Sequence, residues 1–230
     1  MYYDAYNKKS FMLTNIIARF QPNNPDRVLL CAHWDTRPRA DRERDPARRQ
    51  QPILGANDGA SGVAVLLEIA RLLAQNPVPI GVDIVLFDGE DYGREGHLEE
   101  YFLGSRYFAR NNQQFYPRYA ILVDMVGDAR LQLPIEGYSY QKVPDVVNRV
   151  WQLGAQLGYG EFQNTVGYYV NDDHVILNDH GISTINIIDF FYPDESHRYW
   201  HTLEDTPDKC SPRSLKVVGD VLWQLLQEGG

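Results

Sequence analysis

Residues 82–91 read VDIVLFDGED, an apolar run broken only by Asp83 that stops abruptly at Asp88-Gly89-Glu90-Asp91. A short continuous apolar run is the pattern of a strand covered on both faces. The same pattern stands at Arg27 to Ala32 (RVLLCA), which runs into His33-Trp34-Asp35, and at Tyr119 to Val126 (YAILVDMV), which carries Asp124. Phe11 to Phe20 reads as an edge or early strand, and Ile182 to Ile188 as a further one. Between these, apolar residues recur at helical spacing over Val63 to Leu73, Leu103 to Arg110, Val143 to Leu157 and Leu215 to Leu226. Strands alternating with helices predict an α/β fold, a mostly parallel sheet with helices on both faces. Ligands in such folds collect at the carboxyl ends of the strands.

The chain has 230 residues and is 43% hydrophobic, enough for one two-sided sheet core, so residues 1–230 are expected to form a single domain. A net charge of -9 argues against nucleic acid as a partner, because a phosphate-binding face needs a basic patch. The one arginine-rich segment, Arg37 to Arg49, is interleaved with Asp41, Glu43 and Asp45, lacks aromatics, and reads as a solvated loop. No apolar stretch is long enough to cross a bilayer, and residues 1–20 do not form a signal peptide. The chain is therefore expected to be soluble; the oligomeric state is open, with a monomer favoured. The compartment stays open: a periplasmic or secreted location would follow if a targeting segment had preceded Met1. Cys31 and Cys210 show no metal spacing; a disulfide and two free thiols are both compatible with them.

Chemistry concentrates at the strand ends. His33, Asp35, Asp58, Glu90, Asp91, Asp124, Asp172, Asp173 and His201 all lie there or in the loops just beyond. Crowded carboxylates repel, and each uncompensated buried charge costs several kcal/mol, so a cation is the simplest neutraliser. Carboxylate and imidazole donors without thiolates suit Zn²⁺ at a site with an open position. Each residue taken alone has a plainer reading. Asp58 precedes a helix and suits an N-cap, Glu90-Asp91 suits a solvated turn, and a lone histidine is more often packed than ligating. Asp124, inside an apolar strand, needs a specific partner.

Taken together, His33-x-Asp35, Gly55-Ala56-Asn57-Asp58-Gly59-Ala60-Ser61-Gly62, Gly89-Glu90-Asp91, Asp124-Met125-Val126-Gly127 and His201-Thr202-x-x-Asp205-Thr206 resemble the M28 family of zinc exopeptidases. The resemblance runs from about Asn15 to the last helix and implies a phosphorylase/hydrolase-like α/β/α sandwich with a mixed sheet. Within the family, Phe87-Asp88-Gly89-Glu90-Asp91, Leu103-Gly104-Ser105-Arg106, Asp172-Asp173-His174 and Trp200-His201-Thr202 look like the animal-type glutaminyl cyclases and their bacterial relatives. Those enzymes convert an N-terminal glutamine of peptides or proteins into pyroglutamate and release ammonia.

Carried over by position, the resemblance implies Asp58, Asp91 and His201 as ligands of one zinc ion and Glu90 as the proton-transfer group. It also implies Asp124 and Asp172 as acids behind Glu90, with Trp200 and Asn186 in the substrate pocket. The related aminopeptidases imply an alternative, in which His33 and Asp124 hold a second zinc and Asp58 bridges the two ions. The chain departs from the animal cyclases at four places. Asp91 stands for a longer glutamate, Asn186 for a histidine, and residues 92–96 lack a tryptophan. The segment Phe190 to Tyr199 is longer and richer in aromatics.

Overall fold

The computed structural model describes residues 1–112 and 115–230. In chain order the elements are β1 (Tyr2–Asp4), β2 (Lys9–Phe11), β3 (Ile16–Phe20), β4 (Arg27–His33), α1 (Ala60–Gln75), β5 (Gly81–Phe87), α2 (Leu103–Asn111) and β6 (Ala120–Asp124). These are followed by β7 (Leu133–Glu136), α3 (Gly137–Lys142), α4 (Pro144–Gln156), β8 (Phe162–Tyr168), α5 (Asp173–Asp179), β9 (Thr184–Ile188) and α6 (Pro212–Gln227).

The central sheet has the order β3-β5-β4-β6-β9. β3 runs antiparallel to β5 at one edge, and the other neighbours are parallel, with Leu30 beside Ile84 and Cys31 beside both Val85 and Leu122. Successive residues of β4 point to opposite faces, and both faces are covered. Val28, Leu30 and Ala32 pack with Val65, Leu66 and Ile69 of α1 and with α4 and α6. Leu29 and Cys31 pack with Phe108 of α2 and Leu177 of α5. That two-sided burial explains why the strand sequences are continuous apolar runs instead of alternating ones. The result is a three-layer α/β/α sandwich with a mixed, mostly parallel sheet, as expected.

The expected strand over Phe11 to Phe20 is two strands. The chain leaves β2 at Phe11, and the Thr14 amide donates to Asp88 Oδ2 at 2.6 Å while the Asn15 side chain donates to the Gly104 carbonyl, so the intervening residues bond to the β5–α2 loop and the first turn of α2 instead of to a strand. The parallel pair β7–β8 and the short helices α3 and α5 had no counterpart in the sequence reading. Helix α6 starts with Ser211, whose side chain accepts from the Arg213 amide, and with Pro212 at the first helical position, which extends it beyond the expected Leu215.

The solvated-loop reading of Arg37 to Arg49 needs correction. Arg37 is only 1% exposed and Glu43 is buried, because both are taken into ion pairs and hydrogen bonds beneath the loop, whereas Arg42, Arg44, Arg48 and Arg49 remain in solvent. Both cysteines are free thiols. Among the described residues no helix is long and apolar enough to cross a membrane.

Candidate active site

β4 ends at His33 and β6 at Asp124. Glu90 and Asp91 follow β5 within four residues, and the loop before α1 carries Asp58. Asp172 caps α5, its side chain accepting from the Asp173 amide at 2.6 Å, and Trp200-His201 lies in the long connection from β9 to α6. Parallel neighbours end at the same level, so residues far apart in sequence meet above one edge of the sheet. Asp58 does not cap α1: the N-cap position is Gly59 and no side chain bonds there, which leaves the Asp58 carboxylate for the two histidines. A Cβ on Gly59 would lie 2.3 Å from the His33 ring, so only glycine lets the loop pass this close.

His201 Nε2 lies 3.4 Å from Asp91 Oδ1 and 3.5 Å from Asp58 Oδ2. His33 Nε2 lies 3.1 Å from Asp124 Oδ1 and 3.2 Å from Asp58 Oδ1. Two groups of ligand atoms, Asp58–Asp91–His201 and His33–Asp58–Asp124, thus share Asp58, the atoms of each lying within 4.8 Å of one another. All of these side chains are buried.

Carboxylates grip the loops from below. The two oxygens of Asp35 each accept a backbone amide at 3.1 Å, from Glu90 and from Asp91. Asp205 does the same for Asn57 at 2.9 Å and Asp58 at 3.2 Å, and accepts the Tyr192 hydroxyl. Met125 and His201, with φ of +48° and +56°, occupy the left-handed region disfavoured for side-chain-bearing residues, strain that concentrates at the rim of the cluster.

Electrostatics follow from burial and crowding. Burial, reinforced by Asp91 and Asp172 and opposed by His33, raises the Glu90 carboxyl well above its ordinary value. Burial and then Asp58 raise Asp91 in the same way, and burial pushes Asp124 up to about 7 against the pull of His33. Burial disfavours a charged His33, but Glu90, Asp124, Asp35 and Asp58 around it outweigh that and raise it well above the usual imidazole range. His201 goes the other way, held well below it by burial and by Arg37 and Arg42. A neutral imidazole is the form that binds metal.

The donor set fits Zn²⁺. It offers carboxylates and a neutral imidazole without thiolates, and Asp91 Oδ2 is buried with no hydrogen-bond partner among the described residues. A buried carboxylate oxygen left unpaired costs about 1–3 kcal/mol unless a cation meets it.

The expected site residues come together with one displacement. Glu90, Asp124, Asp172 and Trp200 line a cavity of about 130 Å³ with Asp58, Asp91 and His201 at its base. The Trp200 ring stacks on His201 at 3.8 Å. Asn186, expected in the pocket, instead sits one layer behind it, fully buried, its amide donating to Asp172 Oδ2 at 2.7 Å. Asn186 lies on β9, the edge strand of the central sheet, and is linked to the cavity through Asp172. Residues missed in the sequence complete the walls: Tyr101, Phe102 and Val170. Arg37 Nη1 donates to Asp91 Oδ1 at 2.7 Å and Arg37 Nη2 to the Tyr101 hydroxyl at 2.9 Å. Nothing local distinguishes Arg37 from the other arginines of its loop.

The model of Peptidase family M28 matches residues 15–226. The backbone is similar to that of Porphyromonas gingivalis glutaminyl cyclase, with 39% identity, a TM-score of 0.93, and coverage of 98% of this chain and 81% of that one. It is also similar to a Zn-dependent exopeptidase from Parabacteroides distasonis, with 35% identity, a TM-score of 0.92, and coverage of 97% and 80%. In sequence it resembles aminopeptidase YwaD of Bacillus subtilis, 26% identical over 93% of this chain, of which it spans only 44% of the length. With residues 15–226 matched by the family model, this chain belongs to peptidase family M28.

Proposed function

We propose that residues 1–230 form one catalytic domain that cyclises the N-terminal glutamine of peptide or protein substrates to pyroglutamate and releases ammonia. The observation that carries this reading is the Asp58–Asp91–His201 group with the Glu90 carboxyl beside it, on a backbone that follows the P. gingivalis cyclase over 98% of this chain.

Asp58, Asp91 and His201 are the residues that would hold one Zn²⁺, which supplies Lewis acidity and charge stabilisation at the γ-carbonyl oxygen of the substrate. Tyr101, Phe102 and Trp200 enclose the glutamine side chain and exclude water that would otherwise hydrolyse it. The ring closes as the α-amine nitrogen bonds to the γ-carbonyl carbon and the bond from that carbon to the amide nitrogen breaks. Glu90 takes the proton that the amine sheds and passes it to the departing nitrogen, which leaves as ammonia. Burial raises its affinity for a proton, which favours the half of the transfer in which it takes one from the amine. Asp124 and Asp172 stand behind it as further carboxyls; Asn186 orients Asp172 and so acts on the pocket indirectly.

A second reading, a zinc aminopeptidase, is favoured by the second ligand group, His33–Asp58–Asp124, and by the likeness to YwaD. Ammonia release from a glutaminyl dipeptide, assayed beside leucine p-nitroanilide hydrolysis with zinc per chain determined on the same sample, separates them. Ammonia with about one zinc supports the cyclase; nitroaniline with two overturns it.

A further inference from the structure

A groove of about 500 Å³ opens beside the catalytic cavity and shares Phe190 and Trp200 with it. Its remaining walls come from the loop after β4 and from the segment before α6, and they bring together Arg42, Arg44 and Arg198, all exposed. Arg42 lies over the Trp200 ring, 5.2 Å from its centroid, while pairing with Glu95 at the surface at 3.0 Å. Arg198 pairs with Glu204 at 2.8 Å, also in solvent. Arg44 makes no ion pair among the described residues. The groove's other acid, Glu43, is buried and its carboxylate accepts the Leu203 amide at 3.2 Å.

The groove therefore carries a surplus of positive charge on a chain whose net charge is -9. Exposed ion pairs contribute little and exchange partners readily. A planar guanidinium with an uncommitted fork binds carboxylates bidentately, and Trp200 gives such a ligand an apolar floor. An extended peptide advances about 3.3–3.6 Å per residue, so the chain leaving the cavity past Trp200 enters the groove within its next few residues.

We propose that this groove binds the two or three residues that follow the N-terminal glutamine, and that Arg44, with Arg42 and Arg198, selects substrates carrying Asp or Glu there. The inference rests on the cyclase reading of the neighbouring cavity.

The test uses the zinc-loaded protein and three substrates: glutamine amide, which ends before the groove, and the peptide amides Gln-Gly-Glu-Glu and Gln-Gly-Lys-Lys. At low salt, kcat/KM is expected to favour the acidic peptide over the basic one by roughly three- to tenfold, an advantage that shrinks as ionic strength rises. In Arg44→Glu, and more so in Arg44→Glu/Arg198→Glu, the ratio between the two peptides should fall to unity or invert. Because each variant is its own control, a general loss of protein quality leaves that ratio unmoved. Turnover of glutamine amide with equal rates on both peptides, or a ratio unchanged by the reversals, overturns the inference alone. No ammonia from any of the three substrates overturns the cyclase reading and this inference with it.

Discussion

Arg37 holds Asp91 twice, through a hydrogen bond of 2.7 Å to Oδ1 and one of 3.0 Å to the backbone carbonyl, from a position only 1% exposed. Asp91 is one methylene shorter than glutamate, and this buried guanidinium, itself anchored by Asp41 and Tyr101, sets where its remaining oxygen, Oδ2, points. Arg37→Met removes one partner of a buried ion pair, which typically costs about 3–5 kcal/mol. Urea unfolding should report a loss of that order, and titration of the apoprotein with zinc should show weaker binding. Unchanged zinc affinity in a folded Arg37→Lys or Arg37→Met protein would remove Arg37 from the support of Asp91.

Glu90→Gln keeps the size of the side chain and its burial but abolishes proton transfer. Turnover of a glutaminyl peptide should fall by about 10² to 10⁴ while zinc content stays the same. Full activity in this variant would assign the proton transfer to another carboxyl of the same cavity, such as Asp124 or Asp172.

His201→Ala deletes the neutral imidazole of the proposed ligand set. Zinc per chain measured after dialysis should drop, and the thermal midpoint should lose its response to added zinc. For the unaltered protein, zinc at about a hundred times its dissociation constant should stabilise the fold by about 2.7 kcal/mol, and chelation should reverse this. Stoichiometric zinc in His201→Ala would mean that other residues hold the ion.

Trp200→Ala removes the ring stacked on His201 and the wall shared by the cavity and the groove. The Michaelis constant for a glutaminyl peptide should rise by roughly three- to tenfold, with a smaller change in kcat. An unchanged Michaelis constant would return Trp200 to a packing role.

Glu136 links acid stability to the pocket wall. Fully buried, it accepts the amides of Tyr138, Ser139 and Val170 and faces His174 Nε2 at 3.0 Å. Burial alone would raise its carboxyl, but His174 and Ser139 prevail and hold it down at about 2. A carboxyl depressed in the folded state contributes stability that is fully present above its unfolded value of about 4.3 and is lost as pH falls through about 2. That contribution is on the order of 3 kcal/mol. Urea unfolding from pH 5 to pH 2 should therefore show a steeper loss for the unaltered protein than for Glu136→Gln. Parallel curves would mean that Glu136 is not depressed.

Much of the site was legible because strand ends are. Glu90, Asp91 and Asp124 follow or end runs whose apolar continuity marks a buried strand, Asp58 stands just before the apolar run of α1, and parallel topology brings such ends to one level. Asn186 was misplaced for the converse reason: position in a strand says which face a side chain takes only once the layer in front of it is known, and here Asp172 stands between it and the cavity. The parallel pair β7–β8 escaped notice because Phe162–Tyr168 is mostly exposed and has no apolar periodicity, and α5 is too short to show a helical one.

The amino-acid sequence by itself determined the α/β layering and the carboxylate-imidazole chemistry at the strand ends, because both depend on residue type and local spacing, whereas the order β3-β5-β4-β6-β9 came only with the fold. Tertiary structure alone decided that Arg37 is a buried partner of Asp91 while Arg44, seven residues later, faces an open groove. Both are arginines in the same loop, and what separates them is which carboxylates the fold brings within about 3 Å, a distance set by packing between segments that no local pattern encodes.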